Sequence, residues 1–126
     1  MTRIIRKTLL LLAITLAPLL VGKSAKADCF APASNEVAVY KDANYGGGCY
    51  ILLNLSTTGL NSNDNRGPGY YFPNDWISAI KVGIGQNVAS YRDWFLGGTQ
   101  WNWWAGNNYS WVGASANDQI SSMKAF

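Results

Sequence analysis

The stretch Tyr40-Lys41-Asp42-Ala43-Asn44-Tyr45-Gly46-Gly47 returns later in the chain as Tyr91-Arg92-Asp93-Trp94-Phe95-Leu96-Gly97-Gly98. Each copy has a tyrosine, a basic residue and an aspartate, and closes on two glycines. A second pair follows in the same order: Asn74-Asp75-Trp76-Ile77-Ser78-Ala79-Ile80-Lys81 and Asn117-Asp118-Gln119-Ile120-Ser121-Ser122-Met123-Lys124. Two separate echoes in register mark a tandem duplication. Around them lie short β-rich runs. Glu36 to Tyr40 and Cys49 to Leu53 flank the first glycine turn, Asn87 to Tyr91 and Thr99 to Trp104 flank the second, and Ile77 to Val82 and Ile120 to Ala125 close the halves. No window after the leader carries a 3.6-residue apolar period, so helix is not expected beyond a turn. The pattern predicts an all-β domain, a β-sandwich of two similar four-stranded units. Motif one covers about 36–83 and motif two about 86–126. The first half carries an extra polar segment, Asn61 to Gly69 with Arg66 near its tip, read as a tolerated surface insertion.

The chain has 126 residues and a formal charge of +3. Five of its ten basic residues (Arg3, Arg6, Lys7, Lys23, Lys26) lie in the first 27 positions, whereas all seven acids lie after them. From Asp28 onward the balance is five basic against seven acidic residues, a net −2, which argues against a nucleic-acid surface. Arg3, Arg6 and Lys7 precede an apolar run from Leu9 to Val21, and Ala25-Lys26-Ala27 offers small residues at a cleavage spacing. That is the layout of a secretory signal peptide over 1–27, leaving a domain over 28–126 in a secreted or periplasmic setting, with no membrane association after cleavage. The run is too short for a span, which takes about 20 residues. In an oxidising compartment the two cysteines, Cys29 and Cys49, are expected to pair.

Histidine is absent, which excludes a Ser-His-Asp triad and His-ligated zinc. Catalysis by paired carboxylates is not expected either. Asp42, Asp75, Asp93 and Asp118 have hairpin or loop roles, and Asp28, Glu36 and Asp64 are scattered. The chain reads as a non-enzyme.

At the repeated stretches the sequence resembles the βγ-crystallin family. The family's Greek-key motif carries an aromatic, four residues, a second aromatic, one residue and a glycine. Tyr40, Tyr45 and Gly47 match it, and Tyr91, Leu96 and Gly98 match with leucine in the second place. Microbial members also carry two Asn/Asp, any two residues, Ser/Thr and Ser as a calcium signature. Residues 117–122 satisfy every place, and residues 74–79 all but the last, where Ala79 stands. The resemblance implies two Ca²⁺ sites that share ligands between motifs. Asp75 and Asp118 would be the charged ligands and Asn74 and Asn117 supporting oxygens. The carbonyls of Trp76, Gln119, Lys41 and Arg92 and the crossing hydroxyls of Ser78 and Ser121 would complete the shell. Ala79 should loosen the first motif without abolishing its site. One carboxylate per site predicts affinities of roughly 10⁻⁶ to 10⁻³ M.

Six tryptophans stand in the chain, three of them in Trp101-Asn102-Trp103-Trp104. On a strand Trp101 and Trp103 share one face and Trp104 takes the other. One face fills the core but cannot house both, so Trp101, Trp103 and Trp104 stand as candidate surface-binding residues for a glycan or protein partner. A rival resemblance is to secreted bacterial crystallin-fold peptidase inhibitors and killer toxins, with the Asn61–Gly69 segment as the exposed loop. A monomer is expected.

Overall fold

Strand β1, Glu36–Asp42, begins with Val37 and Val39 facing one way and Ala38 and Tyr40 the other, and all four are buried. A strand buried on both faces needs cover on both, and that requirement shapes the domain. The computed structural model describes residue 29, residues 31–53 and residues 55–126. The signal-peptide reading over 1–27 lies outside the described residues.

The strands that follow are β2 (Gly46–Leu53), β3 (Leu60–Asn61), β4 (Ala79–Val82), β5 (Val88–Asp93), β6 (Gly97–Trp103), β7 (Asn108–Tyr109) and β8 (Ser122–Ala125). The only helical piece among the described residues is a 3-10 turn at Ala43–Tyr45. Two four-stranded sheets result, ordered β2-β1-β4-β7 and β3-β8-β5-β6, with antiparallel pairing throughout the described residues. The expected all-β sandwich is therefore present, with an exchange between its halves. Each sheet takes three strands from one motif and the short third strand of the other. Leu60 pairs with Met123, and Ile80 with Tyr109.

The core lies between the sheets. Val37, Val39, Leu52, Ile80 and Val82 meet Leu60, Val88, Trp103 and Met123, with Phe72, Ile77 and Ile120 entering from the loops. Cover for the other face of β1 comes from Cys29, bonded to Cys49 of β2 as the cysteine count predicts. Cys29, Ala38, Tyr40, Cys49 and Ala79 form a second, smaller apolar cluster there. Burial pushes the Tyr40 phenol from 10.0 up to about 12, with the neighbouring Tyr45 phenol adding to the shift. The Tyr40 hydroxyl donates to the Cys29 carbonyl.

Two expectations need correcting. Trp103 is a core residue rather than a surface one: it is 5% exposed, and its indole N–H donates to Ser90 Oγ at 2.7 Å. Trp101 is half-buried against the core, with its indole N–H on Ser115 Oγ at 3.1 Å, so of the three only Trp104 is exposed. The Asn61–Gly69 segment is not an insertion throughout. Asn61 ends β3, and Ser62 is fully buried.

Candidate metal centre

Hairpin one (β1–β2) and hairpin two (β5–β6) both turn through left-handed backbone, at Asn44 and Tyr45 (φ 55 and 62) and at Phe95 and Leu96 (φ 57 and 60). Gly47 and Gly98 follow at φ 78 and 74, and a Cβ on either would collide with the carboxylate of Asp42 or Asp93. The glycine of each motif is thus required by both backbone and space. In both hairpins the strand register slips at one residue, between Tyr40 and Asp42 and between Tyr91 and Asp93. Lys41 and Arg92 are the residues at those slips. A bulged residue is left out of the ladder, so its main-chain oxygen is available for another partner.

The Asn-Asp loops lie against these bulges and cross each other. Asp75 and Asp118 both sit in left-handed conformation (φ 50 and 54), which short polar side chains tolerate. The Asp75 amide donates to the Ile120 carbonyl at 3.2 Å, and the Asp118 amide to the Ile77 carbonyl at 3.1 Å. The Ser78 amide donates to Tyr40 O, and the Ser121 amide to Tyr91 O, both at 2.8 Å. The side chains then cross between motifs. Ser121 Oγ donates to Asp75 Oδ1 at 3.2 Å, and Ser78 Oγ to Asp118 Oδ1 at 3.4 Å. Asp75 and Ser121 therefore gather beside hairpin two, and Asp118 and Ser78 beside hairpin one. Trp76 and Gln119 follow directly on the two aspartates.

The asparagines do not match. Asn74 Oδ1 accepts from Ser62 Oγ at 2.6 Å, and the Asn74 amide donates to Asn63 Oδ1 at 3.1 Å. Asn117 donates through Nδ2 to Asp118 Oδ2 at 3.4 Å, and its Oδ1 is buried without a hydrogen-bond partner. A buried acceptor without a donor is costly unless a cation or water meets it. Among the described residues no group of three or more His, Cys, Asp or Glu gathers at one place. A cation in either loop would meet one carboxylate and otherwise neutral amide, hydroxyl and main-chain oxygens. That donor set fits a hard ion such as Ca²⁺ and offers nothing to a soft one.

Hairpin two is held by Ser122, the last place of the signature, and by Asn61 and Ser62, which sequence reasoning missed. Ser122 Oγ accepts from the Leu96 amide at 3.1 Å and donates to the Asp93 carbonyl at 2.6 Å. The Phe95 amide donates to Asn61 Oδ1 at 2.7 Å, and Trp94 Nε1 to Ser62 Oγ at 2.8 Å. Asn61 and Ser62 opened the supposed insertion, and their only signal was their place just past a two-residue strand.

Fold and loops together define a double Greek-key β-sandwich whose paired loops exchange serine and aspartate across an internal pseudo-two-fold. Solved structures share this fold. A βγ-crystallin domain from Clostridium beijerinckii is 31% identical over 72% of this chain and 97% of its own, with a TM-score of 0.61. A nickel complex of a clostrillin double mutant is 34% identical, covering 72% of this chain and 97% of that one, with a TM-score of 0.57. A βγ-crystallin domain from Flavobacterium johnsoniae is 27% identical over 71% and 92%, at 0.56. No protein-family model and no curated protein matches the chain. The chain belongs to the βγ-crystallin family.

Proposed function

We propose that this protein is an exported calcium-binding βγ-crystallin module without catalytic activity, stabilised by Ca²⁺ held between its two motifs. The observation that carries the reading is the crossed pairing of Ser121 with Asp75 and Ser78 with Asp118 beside the bulged residues Lys41 and Arg92. In this reading Asp75, Ser121 and the carbonyls of Trp76 and Arg92 hold one ion. Asp118, Ser78 and the carbonyls of Gln119 and Lys41 hold the other, and Asn117 Oδ1 is a further oxygen on that side. Asn74 acts through its bond to Ser62 rather than as a ligand. Export is supported by the leader pattern and the Cys29–Cys49 disulfide. Among the described residues no helix is long and apolar enough to cross a membrane.

The role follows from mass action. An ion bound only by the folded state stabilises by about 2.7 kcal/mol at 100 times its dissociation constant. In a domain of this size that raises the melting temperature by roughly 10–20 °C. Calorimetric titration of the protein with calcium chloride tests the reading, alongside melting in calcium and in chelator. Calcium-linked heat and a raised melting temperature are expected, both lost in Asp75→Ala/Asp118→Ala. No heat at millimolar calcium, or an unchanged rise in the double variant, refutes it.

A further inference from the structure

Ser122 and Ala79 occupy equivalent places, each as the register partner of its motif's first tyrosine, Tyr91 or Tyr40. Ser122 ties the tip of hairpin two through its hydroxyl, with Asn61 and Ser62 assisting. Ala79 has no hydroxyl to give hairpin one. Its methyl joins the small cluster of Cys29, Ala38, Tyr40 and Cys49, with Tyr45 and Ile51 packed against it. Tyr45, which stands where Leu96 stands in hairpin two, sets its ring edge-on to Tyr40 at 5.2 Å. Lys81 Nζ lies 4.4 Å from the centre of the Tyr45 ring.

Behind hairpin one is a cavity of about 400 Å³ lined by Cys29, Cys49, Tyr40, Tyr45 and Lys81 together with Gly46 to Gly48. Cys49 sits opposite Tyr40 in the register; opposite Tyr91 the equivalent residue is Gln100. The bridge thus belongs to motif one alone, the motif whose hydroxyl is missing. Position 79, at the start of β4, also lies against Tyr40 of hairpin one, which serves Asp118, so the missing hydroxyl bears on the Asp118 site rather than on the Asp75 loop of its own motif.

We propose that the Cys29–Cys49 disulfide is the positioning element of the ion site at Asp118, standing in for the hydroxyl clamp that Ser122 provides at Asp75. The proposal rests on the calcium reading above. It makes the two sites separable: one depends on a covalent bridge and its aromatic packing, the other on side-chain hydrogen bonds. Loss of the groups that orient metal ligands commonly weakens binding about 10–100-fold.

The test uses single-site proteins, Asp118→Ala to leave the Asp75 site and Asp75→Ala to leave the Asp118 site. Each is titrated with calcium chloride alone, with Ser122→Ala, and with Cys29→Ser/Cys49→Ser. Removing the bridge should weaken the Asp118 site about tenfold and leave the Asp75 site within about twofold, and Ser122→Ala should do the reverse. Equal weakening of both sites by bridge removal, or weakening of neither, overturns the proposal.

Should the bridge-free chain fail to fold, Ala79→Ser in the intact protein decides. Because the bridge already stands in for it, a hydroxyl restored beside hairpin one should leave the Asp118 site within about twofold, and a severalfold tightening overturns the proposal. Amide exchange in calcium-free protein separates this proposal from the calcium reading. Without the bridge, the Asn44 amide, bonded to Ser110 O at 2.8 Å, should exchange faster, while Leu96 is unchanged. Equal behaviour of the two amides overturns the support role, whereas absent calcium heat in the unmodified protein refutes the calcium reading itself.

Discussion

Replacing Ser122 by alanine removes one hydroxyl and two hydrogen bonds, to the Leu96 amide at 3.1 Å and the Asp93 carbonyl at 2.6 Å. Ser122 is fully buried and Leu96 half-buried, so water has little access to the freed amide. An amide left unpaired in such surroundings costs about 1–3 kcal/mol. Asp93 is exposed, and its carbonyl can recover a water, so that loss adds about 0.5–1 kcal/mol. The sum is about 1.5–4 kcal/mol, or roughly a 6–30 °C fall in melting temperature for a domain of about 100 residues. The assay is urea and thermal unfolding in chelator, which keeps ion binding out of the measurement. Ala79 shows that the fold can carry alanine at the equivalent place, where apolar packing and a disulfide take over. Hairpin two has no such bridge, so a loss below about 0.5 kcal/mol in Ser122→Ala would refute the view that the hydroxyl holds the hairpin.

Ser90→Ala leaves the Trp103 indole N–H unpaired beneath β6 and should cost about 1–3 kcal/mol in denaturant unfolding. Gly47→Ala puts a Cβ on left-handed backbone (φ 78) and into the Asp42 carboxylate, so a loss of at least about 2 kcal/mol is expected. The Tyr40 phenol titrates near 10 unfolded and about 12 folded, so the folded state holds its proton more tightly. Its contribution is complete below pH 10 and disappears as the pH rises through about 12, a decline that Tyr40→Phe should flatten. Parallel unfolding curves of the two proteins across that range would contradict the burial of the phenol.

The hairpins and loops were legible because their geometry demands particular residues: glycine where a Cβ would strike a carboxylate, aspartate where the backbone turns left-handed, serine where an amide and a hydroxyl must both be used. The duplication made these signals readable by stating them twice. Strands β3 and β7, two residues each, are too short to show alternation, so the exchange between sheets left no pattern in the sequence. The face assignment of the tryptophans held, with Trp101 and Trp103 turned together toward the core. Their burial depended on Ser115 and Ser90 accepting the indole protons, and such partners are distant in sequence. Ala79 was visible as a departure, but that it stands against hairpin one, on the side of Asp118 rather than Asp75, follows only from the crossing of the loops.

The traded third strands also bear on how this chain reaches its native state. Neither half can complete its own sheet, because Leu60 must wait for Met123 and Tyr109 must return to Ile80. Contacts closing over such long spans slow the search for the native topology. A half-length fragment would expose a raw strand edge where its missing neighbour belongs, and such an edge recruits another chain. Duplication has thus become an obligation: two copies that once resembled each other now finish one another, and the smallest piece able to stand by itself is the pair.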